Sequence, residues 1–387
     1  MKQIAVMTGT RADYGLLQPI ISLIEHHPEM TLQLLVTGSH LSSQYGDTWK
    51  QIEQDGFKIS ACIPILTEDD SPAGIARSTG KAVLGFADTL SDDTPDCLVV
   101  LGDRYEALAA AEAALLMAIP IVHIHGGELT EGAVDDAIRH AISKMASLHF
   151  VSHQQYARRL MQMGEPEDRI MVTGAPGIDN ILNMKKMNKA EIERSLNFSL
   201  GESCFLVTYH PVTRSTNNND DDLQGLFESL DKYPNSQIVW TYPNADANSQ
   251  YLIDQIKSYA FRNKNRVMAL PSLGQRRYIS MLSHADLVIG NSSSGIIEVP
   301  SFKIPTINIG DRQKGRIRVN SIVDCLPTRS SINSAIEMAL SKDFQASLSK
   351  VVNPYGDGNS ADKIVNALSS ISSKDLGRKP FVDRNII

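Results

Sequence analysis

The chain has 387 residues, of which 21% are charged and 42% belong to the hydrophobic set, a composition typical of globular proteins rather than disordered chains. Lys and Arg total 37 against 44 Asp and Glu, and the resulting net charge of -7 argues against a nucleic-acid partner. The four cysteines are scattered without a disulfide or metal-binding pattern, and no stretch approaches the ~20 apolar residues that span a bilayer. We therefore expect a cytoplasmic protein with no membrane anchor.

Short apolar runs followed by amphipathic segments recur along the chain, which is typical of parallel sheets covered by helices. The rhythm restarts at Cys204 with five further runs, and an Ala- and Leu-rich segment, Glu106–Ala118, is predicted to be a crossover helix. The sequence therefore predicts an α/β protein with two Rossmann-like, doubly wound domains facing each other across a cleft. The predicted strands of the first half are Ile4–Met7, Leu32–Val36, Cys97–Leu101, Ile119–Ile124, Leu148–Val151 and Ile170–Val172.

A polar, lysine-bearing stretch marks the predicted boundary between the two halves. We predict a first domain over residues 1–180, a linker over 181–200 and a nucleotide-binding domain over 201–360. Doubly wound sheets bind ligands at the carboxyl ends of their strands, so a site is expected in the loops that follow the strands.

The first such loop reads TGTRADYG and leads into a helix. It is either a plain strand-to-helix turn or an anion site in which Arg11 and the helix N-terminus hold a phosphate or carboxylate. A dinucleotide site is disfavoured, because GxGxxG is missing and the second strand ends in VTGSH without an acidic residue.

The next two loops carry acidic and basic side chains. In LGDRYE, Asp103 either caps the following helix or is a carboxylate of the cleft. In HIHGGE, His123 and His125 are two positions apart and would share a strand face, with Glu128 close behind. Metal binding would need more ligands than this cluster shows.

The segment VDDAIRH begins a predicted helix on which Asp135 and Arg139 share a face. One interpretation is a surface ion pair, worth a few tenths of a kcal/mol. The other is convergence, because Asp103, His125, Asp135 and Arg139 all follow adjacent strands and can meet in one cleft.

The second half contains a phrase typical of nucleotide binding, VIGNSSSGIIEVPS. Small hydroxyl residues at a helix N-terminus can hold a pyrophosphate, and Glu298 can accept both hydroxyls of a ribose. Arg312 of GDRQKGR is a charge partner for phosphate. His210 ends an earlier strand, and a lone histidine there is more often structural than catalytic. These features predict a nucleoside diphosphate site without a Walker lysine.

Together, GTRADYG, GDRYE, HIHGGE, VDDAIRH, YHPVT, YPNAD, GNSSSGIIEVP and INIGDRQKGR resemble the hydrolysing UDP-N-acetylglucosamine 2-epimerases of bacterial sialic-acid synthesis. The resemblance runs in order from Lys2 to Arg316. It implies a GT-B-like arrangement with UDP on the second domain, and a C-terminal segment, 361–387, that crosses back to the first domain. It also implies a homodimer or homotetramer that uses neither a cofactor nor a metal.

The resemblance also implies roles for individual residues. Many members carry glutamate where this chain has His125, so the acid–base role passes to His125, to Glu128 or to both. Catalytic roles are implied for Asp103, His125, Glu128, Asp135, Arg139 and His210. Substrate contacts are implied for Arg11, Arg104, Asn244, Ser292, Ser293, Glu298 and Arg312.

The implied reaction converts UDP-N-acetylglucosamine and water to N-acetylmannosamine and UDP, by elimination to 2-acetamidoglucal and rehydration. Relatives in legionaminic-acid synthesis act on a nucleotide-linked 2,4-diacetamido-2,4,6-trideoxyglucose, which is the alternative donor. A GT-B glycosyltransferase and a non-catalytic sugar-nucleotide sensor are rival interpretations. Both are disfavoured by the carboxylates, for which neither has a use.

Overall fold

Each half of the chain forms its own parallel sheet in the computed structural model, which describes residues 1–130, 134–211, 219–244, 249–372, 376–377 and 379–383. The chain divides into two compact units. Unit 1 comprises Met1–Glu128, Asp135–Leu182 and the segment from Tyr355 onward. Unit 2 comprises Asn183–Pro354 and the described residues of Leu129–Val134.

Unit 1 contains a seven-stranded sheet in which all neighbouring strands are parallel. The strand order is β3-β2-β1-β4-β5-β6-β7, so the winding direction reverses between β1 and β4. Loops after these two strands therefore lie side by side at the carboxyl edge. The strands are β1 (Lys2–Thr8), β2 (Met30–Thr37), β3 (Ala61–Ile63), β4 (Cys97–Leu101), β5 (Ile121–Ile124), β6 (Leu148–Val151) and β7 (Ile170–Val172).

Helices cover both faces of this sheet, because successive strand residues point to opposite sides. Ile4 and Val6 pack in one core with α1 (Arg11–Glu25) and α15 (Ser360–Ser370), whereas Ala5 and Met7 pack in another with α3 (Pro72–Asp92) and α4 (Tyr105–Leu116). The helices of unit 1 are α1 (Arg11–Glu25), α2 (Trp49–Gln54), α3 (Pro72–Asp92), α4 (Tyr105–Leu116), α5 (Asp135–Met145), α6 (Gln154–Gln162), α7 (Pro176–Asn183, whose last residue is in unit 2) and α15 (Ser360–Ser370).

Unit 2 repeats the architecture with a six-stranded parallel sheet of order β10-β9-β8-β11-β12-β13. Its winding reverses between β8 and β11. The strands are β8 (Cys204–Thr208), β9 (Gln237–Thr241), β10 (Val267–Leu270), β11 (Leu287–Gly290), β12 (Thr306–Ile309) and β13 (Ile322–Cys325). The helices are α8 (Lys189–Leu196), α9 (Asn219–Leu230), α10 (Ser249–Arg262), α11 (Gln275–Leu282), α12 (Ser294–Ile297), α13 (Arg329–Leu340) and α14 (Lys342–Ser347).

Two segments near the predicted domain boundaries are integral parts of a unit. Within residues 181–200, Ile192 and Leu200 are buried in a core of unit 2. At the other end, Ile364 and Leu368 of α15 are buried in a core of unit 1. A backbone hydrogen bond of 2.7 Å from Ala175 to Tyr355 precedes this helix in unit 1.

The predicted fold class is confirmed as two Rossmann-like α/β units. The predicted strands and crossover helix agree with the structure to within two residues at most ends, but β3 and β13 were not predicted. Both are edge strands of three or four residues. Asp324 interrupts the apolar run of β13, and the small residues Ala61 and Cys62 weaken that of β3. None of the helices in the described part of the chain is long and apolar enough to cross a membrane.

Candidate functional site

The predicted site residues fall into two groups, one on each unit. The unit 1 group consists of Arg11, Asp103, Arg104, His125, Glu128, Asp135 and Arg139. The unit 2 group consists of His210, Asn244, Ser292, Ser293, Glu298 and Arg312. Most members of each group follow the carboxyl end of a strand, and Asp135 and Arg139 lie on α5 after β5.

Arg139 is the centre of the unit 1 group. Its side chain is 2% exposed and forms an ion pair with Asp103, which follows β4. Arg139 Nη1 also donates a 2.7 Å hydrogen bond to the carbonyl oxygen of His125 and lies 3.8 Å from Glu128 Oε2. One guanidinium therefore joins the loops after β4 and β5 to α5. Removing one partner of a buried pair typically costs about 3–5 kcal/mol, because the remaining charge is left uncompensated.

Glu128 orients the imidazole of His125. Glu128 is fully buried, and its Oε1 accepts hydrogen bonds from His125 Nδ1 at 2.6 Å and from Ser152 Oγ at 2.7 Å. A carboxylate can only accept, so the His125 proton of this bond is on Nδ1. In the neutral ring, the lone pair is therefore on Nε2. This nitrogen can take a proton and later return it, which is the task of a general base and acid.

Two of the alternative interpretations of this region are wrong. Asp103 does not cap α4, whose N-cap residue is Arg104, and its carboxylate pairs with Arg139 instead. Arg139 is buried, so the idea of a surface pair with Asp135 also fails. Asp135 is partly buried at the first position of α5.

The expectation that His123 and His125 share a strand face is wrong as well. Strand β5 ends at Ile124, and His125 has a positive φ of 66°. Such a backbone conformation is uncommon outside glycine and turns the chain away from the strand direction. The two rings consequently have different partners: His125 contacts Glu128, and His123 contacts Gly102 and Ser143.

Arg104 and Arg11 lie next to the reversal point between β1 and β4. Arg104 is buried and donates two hydrogen bonds to Glu106, of 3.1 and 3.2 Å. Arg11 is the first residue of α1, whose N-terminus carries a capping box between Thr10 and Asp13. Burial raises the pKa of Asp13 to about 7, against the lowering effect of Arg104. This corner of unit 1 is therefore densely charged.

In unit 2, Asn291 fixes the backbone of His210. The His210 N–H donates to Asn291 Oδ1 at 2.7 Å, and Asn291 Nδ2 donates back to the His210 carbonyl oxygen at 2.9 Å. The pair bridges β8 and β11 at the reversal point of the sheet. Gly290 makes this approach possible, because a Cβ there would lie 1.8 Å from the carbonyl oxygen of Thr208.

The carbonyl oxygen of Asn291 and the ring of His210 link further members of the unit 2 group. Arg312 Nη1 donates to the Asn291 carbonyl at 3.2 Å, and Gln313 Nε2 donates to it at 2.9 Å. The Asn244 N–H lies 3.4 Å from His210 Nδ1, which places the ring proton of neutral His210 on Nε2.

The serine loop after β11 leads to Glu298 through a chain of hydroxyls. Ser294 Oγ donates to Glu298 Oε2 and is also bonded to the hydroxyl of Tyr278. Because a carboxylate only accepts, the protons run from Tyr278 through Ser294 to Glu298. The expected helix is a single turn, Ser294–Ile297, and Glu298 is its C-cap residue. Ser292 and Ser293 are partly buried just before this turn.

Several residues of these networks were not singled out in the sequence. Ser152, Asn291, Ser294 and Tyr278 contact predicted site residues but come from neighbouring loops or a separate helix. Asn291 and Ser294 lie inside the quoted serine motif, so their position was a usable signal. Among the residues that the structure describes, no group of three or more His, Cys, Asp or Glu side chains could hold a metal ion.

Comparison with known proteins identifies the family of the chain. The model of the UDP-N-acetylglucosamine 2-epimerase family matches residues 22–369. A Campylobacter jejuni protein named GDP/UDP-N,N'-diacetylbacillosamine 2-epimerase (hydrolyzing) is 40% identical over 99% of both chains. The Escherichia coli polysialic acid biosynthesis protein P7 is 36% identical, over 99% of this chain and 98% of its own.

The fold has a close counterpart among solved structures. The UDP-GlcNAc 2-epimerase from Neisseria meningitidis bound to UDP-GlcNAc superposes with a TM-score of 0.80, at 22% identity, over 96% of this chain and 100% of its own. The chain thus has the two Rossmann-like units of a nucleotide-sugar enzyme. It belongs to the UDP-N-acetylglucosamine 2-epimerase family, and it is an enzyme of the hydrolysing type.

Proposed function

We propose that the chain converts UDP-N-acetylglucosamine and water to N-acetylmannosamine and UDP, for the synthesis of a sialic-acid-type sugar. The observation that carries the proposal is the network that joins the partly buried Asp103 to the buried Arg139, Glu128 and His125 in unit 1. A base takes the proton from C2 while the C1–O bond breaks and UDP leaves, which gives 2-acetamidoglucal. Water then adds at C1, and a proton returns to C2 on the opposite face.

The unit 1 group supplies the proton transfers of this reaction. Breaking an unactivated C–H bond and reforming it on the other face needs two acid–base groups, each contributing roughly 10²–10⁴-fold. We assign this work to Asp103 and His125, with Asp135 as a further carboxylate. Arg139 pairs with Asp103. Glu128 holds the proton of neutral His125 on Nδ1, which leaves the lone pair of Nε2 available to take up a proton.

The unit 2 group supplies the nucleotide contacts. Departure of UDP places negative charge on the pyrophosphate, which pre-oriented N–H, O–H and guanidinium donors stabilise. We assign these contacts to Ser292, Ser293, Arg312 and His210, with Asn244 beside His210. We assign the ribose hydroxyls to Glu298. In unit 1, we assign further phosphate contacts to Arg11 and Arg104.

A second donor is favoured by a specific observation. The Campylobacter jejuni relative, named for N,N'-diacetylbacillosamine, is 40% identical, against 36% for the Escherichia coli polysialic acid protein. That donor is a 2,4-diacetamido-2,4,6-trideoxy sugar and undergoes the same reaction at C1 and C2. The second candidate therefore changes the sugar but not the assigned chemistry.

The test is incubation with each UDP-sugar in deuterated water, followed by NMR. We expect free UDP and a 2-epimeric sugar that carries deuterium at C2. The donor with the larger kcat/KM is the physiological candidate. An unchanged donor in both reactions would contradict the proposal, and so would sugar released with its original C2 configuration and hydrogen, which is the result expected of a glycosyltransferase that hydrolyses its donor.

A further inference from the structure

His123 of β5 contacts the segments that carry the unit 1 group, although it is not a member of that group. The side chain is fully buried. Its Nε2 lies 2.7 Å from the carbonyl oxygen of Gly102, and its Nδ1 lies 3.1 Å from Ser143 Oγ. Gly102 directly precedes Asp103, and Ser143 is one helical turn after Arg139 on α5. The ring therefore joins two segments that carry the proposed catalytic group.

The hydrogen bonds leave one arrangement of protons on this ring. A carbonyl oxygen only accepts, so Nε2 carries the proton. Burial lowers the pKa of His123 to about 3, and the hydrogen bond to Gly102 only partly opposes this effect. The imidazole is consequently neutral at physiological pH. Nδ1 then has the lone pair and accepts the hydroxyl proton of Ser143.

Gly102 is held from both sides in a backbone conformation that favours glycine. Its φ is +77°, its N–H donates to the Ile124 carbonyl at 2.9 Å, and its own carbonyl accepts from His123. These contacts determine the direction in which the chain enters Asp103. Without the bond from His123, a buried carbonyl oxygen would lose its partner, and relaxation of the peptide would move Asp103.

The turn that presents His125 also rests on this ring. A Cβ at Gly126 would lie 3.0 Å from His123 Nδ1 and 3.0 Å from Ser143 Oγ. The backbone therefore packs directly on the His123–Ser143 pair immediately after His125. One imidazole thus supports the loop of Asp103, the helix of Arg139 and the turn of His125.

We propose that His123 is a positioning residue, which sets the relative placement of Asp103, Arg139 and His125 through its contacts with Gly102, Ser143 and Gly126. The inference rests on the proposed function, because it assumes that these three residues carry the proton transfers. His123 itself transfers no proton. A shift of about 1 Å in reacting groups can cost about 100-fold in rate, so the effect should appear in kcat.

The experiment compares His123→Met, which fills the space but has no donor, with His123→Gln, whose amide can donate to Gly102. We expect His123→Met to lower kcat about 10- to 100-fold with KM changed less than about threefold. We expect His123→Gln to recover most of the lost rate. Equal loss in both variants, no loss in either, or a rise in KM that accounts for the loss of kcat/KM would overturn the inference.

A matched control separates positioning from general damage to the sheet. His149 is the neighbour of His123 across the β5–β6 register, is equally buried, and donates to Glu165 at 2.9 Å. We expect His149→Met to lower the melting temperature as much as His123→Met does while kcat stays within about twofold. A comparable kcat loss in His149→Met would assign the effect to stability and overturn the inference.

Two further measurements keep the inference testable if His123→Met does not fold. Ser143→Ala removes the second ring contact and should lower kcat at least about threefold at unchanged KM; an unchanged kcat would contradict the inference. In wild-type protein labelled with ¹⁵N-histidine, the resonance that His123→Gln removes should show the proton on Nε2, and a proton on Nδ1 would contradict it. Failure of the proposed function can be distinguished from failure of this inference. In the first case wild-type protein turns over neither donor, but the tautomer of His123 can still be measured.

Discussion

The unit 1 and unit 2 groups sit at equivalent places on similar sheets but differ in how their side chains are held. In unit 1, opposite charges are buried against one another, with Arg139 between Asp103 and Glu128. In unit 2, most of the hydrogen bonds come from amides and hydroxyls, such as those between the Asn291 side chain and the His210 backbone and the one from Ser294 to Glu298. Ion pairs thus connect the residues assigned to proton transfer, whereas the residues assigned to the leaving anion combine neutral donors with the guanidinium groups of Arg312, Arg11 and Arg104.

This difference suggests that the two groups respond differently to substitution. A change at Asp103, His125 or Arg139 of unit 1 should act on kcat, because the proposal assigns these residues to the proton transfers. A change at the ribose contact of unit 2, Glu298, should act on KM, because this contact forms before the reaction and persists through it.

Asp103→Asn should have the largest effect. The amide cannot take up a proton, and Arg139 loses its charged partner, so we expect kcat to fall about 10²–10⁴-fold. Binding of UDP, measured by calorimetry, should stay within about threefold of wild type. Steady-state kinetics with either donor provides the measurement.

The control is Asp96→Asn, at the opposite end of the same strand. There the carboxylate accepts a hydrogen bond of 2.8 Å from the Gln3 N–H, a task that an amide oxygen can also perform. We expect wild-type kcat. An Asp103→Asn enzyme as fast as this control would remove Asp103 from the mechanism.

Glu128→Gln should have the next largest effect. The amide oxygen can still accept from His125 and Ser152, but the negative charge beside the imidazole is lost. We expect kcat to fall about 10- to 100-fold, near the lower end of acid–base effects. Ser152→Ala, which removes one hydrogen bond to the carboxylate, should have a smaller effect in the same direction. If Ser152→Ala were the slower variant, the charge of Glu128 would not be what His125 requires.

Ser294→Ala should change binding rather than turnover. Loss of the hydroxyl between Tyr278 and Glu298 removes a hydrogen bond that holds the carboxylate, which we expect to raise KM about tenfold, or about 1.4 kcal/mol. The value of kcat should change less than about threefold. Ser301→Ala is the control, because Ser301 Oγ accepts instead from Asn353, outside the unit 2 group. A fall in kcat at constant KM would contradict the expectation that a change near the ribose contact acts on KM.

Glu165→Gln should reduce stability without reducing kcat. Burial raises the pKa of Glu165, but hydrogen bonds from His149, Lys144 and Lys379 outweigh it and lower the pKa to about 2. A lowered carboxyl pKa stabilises the fold above the unfolded value of 4.5, and this contribution is lost as pH falls toward 2. Burial also lowers the pKa of Lys379, and this offsets part of the stability that the Glu165 carboxylate contributes at neutral pH.

We expect Glu165→Gln to cost about 2 kcal/mol of unfolding free energy at pH 7 and less at pH 3. Denaturant unfolding at the two pH values measures this, with kcat at pH 7 as the second readout. An equal loss at both pH values would exclude an ionic origin. A large loss of kcat would mean that the contacts of Glu165 with His149, Lys144 and Lys379, near the C-terminal end of α5, also determine where Arg139 lies.

Much of the fold and part of the site were predictable from the sequence. Parallel strands buried on both faces produce continuous apolar runs, such as Cys97–Leu101. Each run is followed by a polar loop, and both features are visible in the sequence. Asp103, His125 and Arg139 were therefore found as candidates. Strand β3 was not, because Ala61 and Cys62 are small and give a weaker strand pattern than the Ile-Met-Val run of β7, which is also a three-residue edge strand.

The alternation of strands and helices and the polar residues at the strand ends follow from the amino-acid sequence, because both depend on local periodicity and on chain order. Which polar groups pair with one another depends on the folded chain. Arg139 pairs with Asp103, 36 residues away, a partner that the spacing of residues on its own helix cannot reveal. A buried guanidinium must take the partners that packing brings within reach, and those come from other strands and helices.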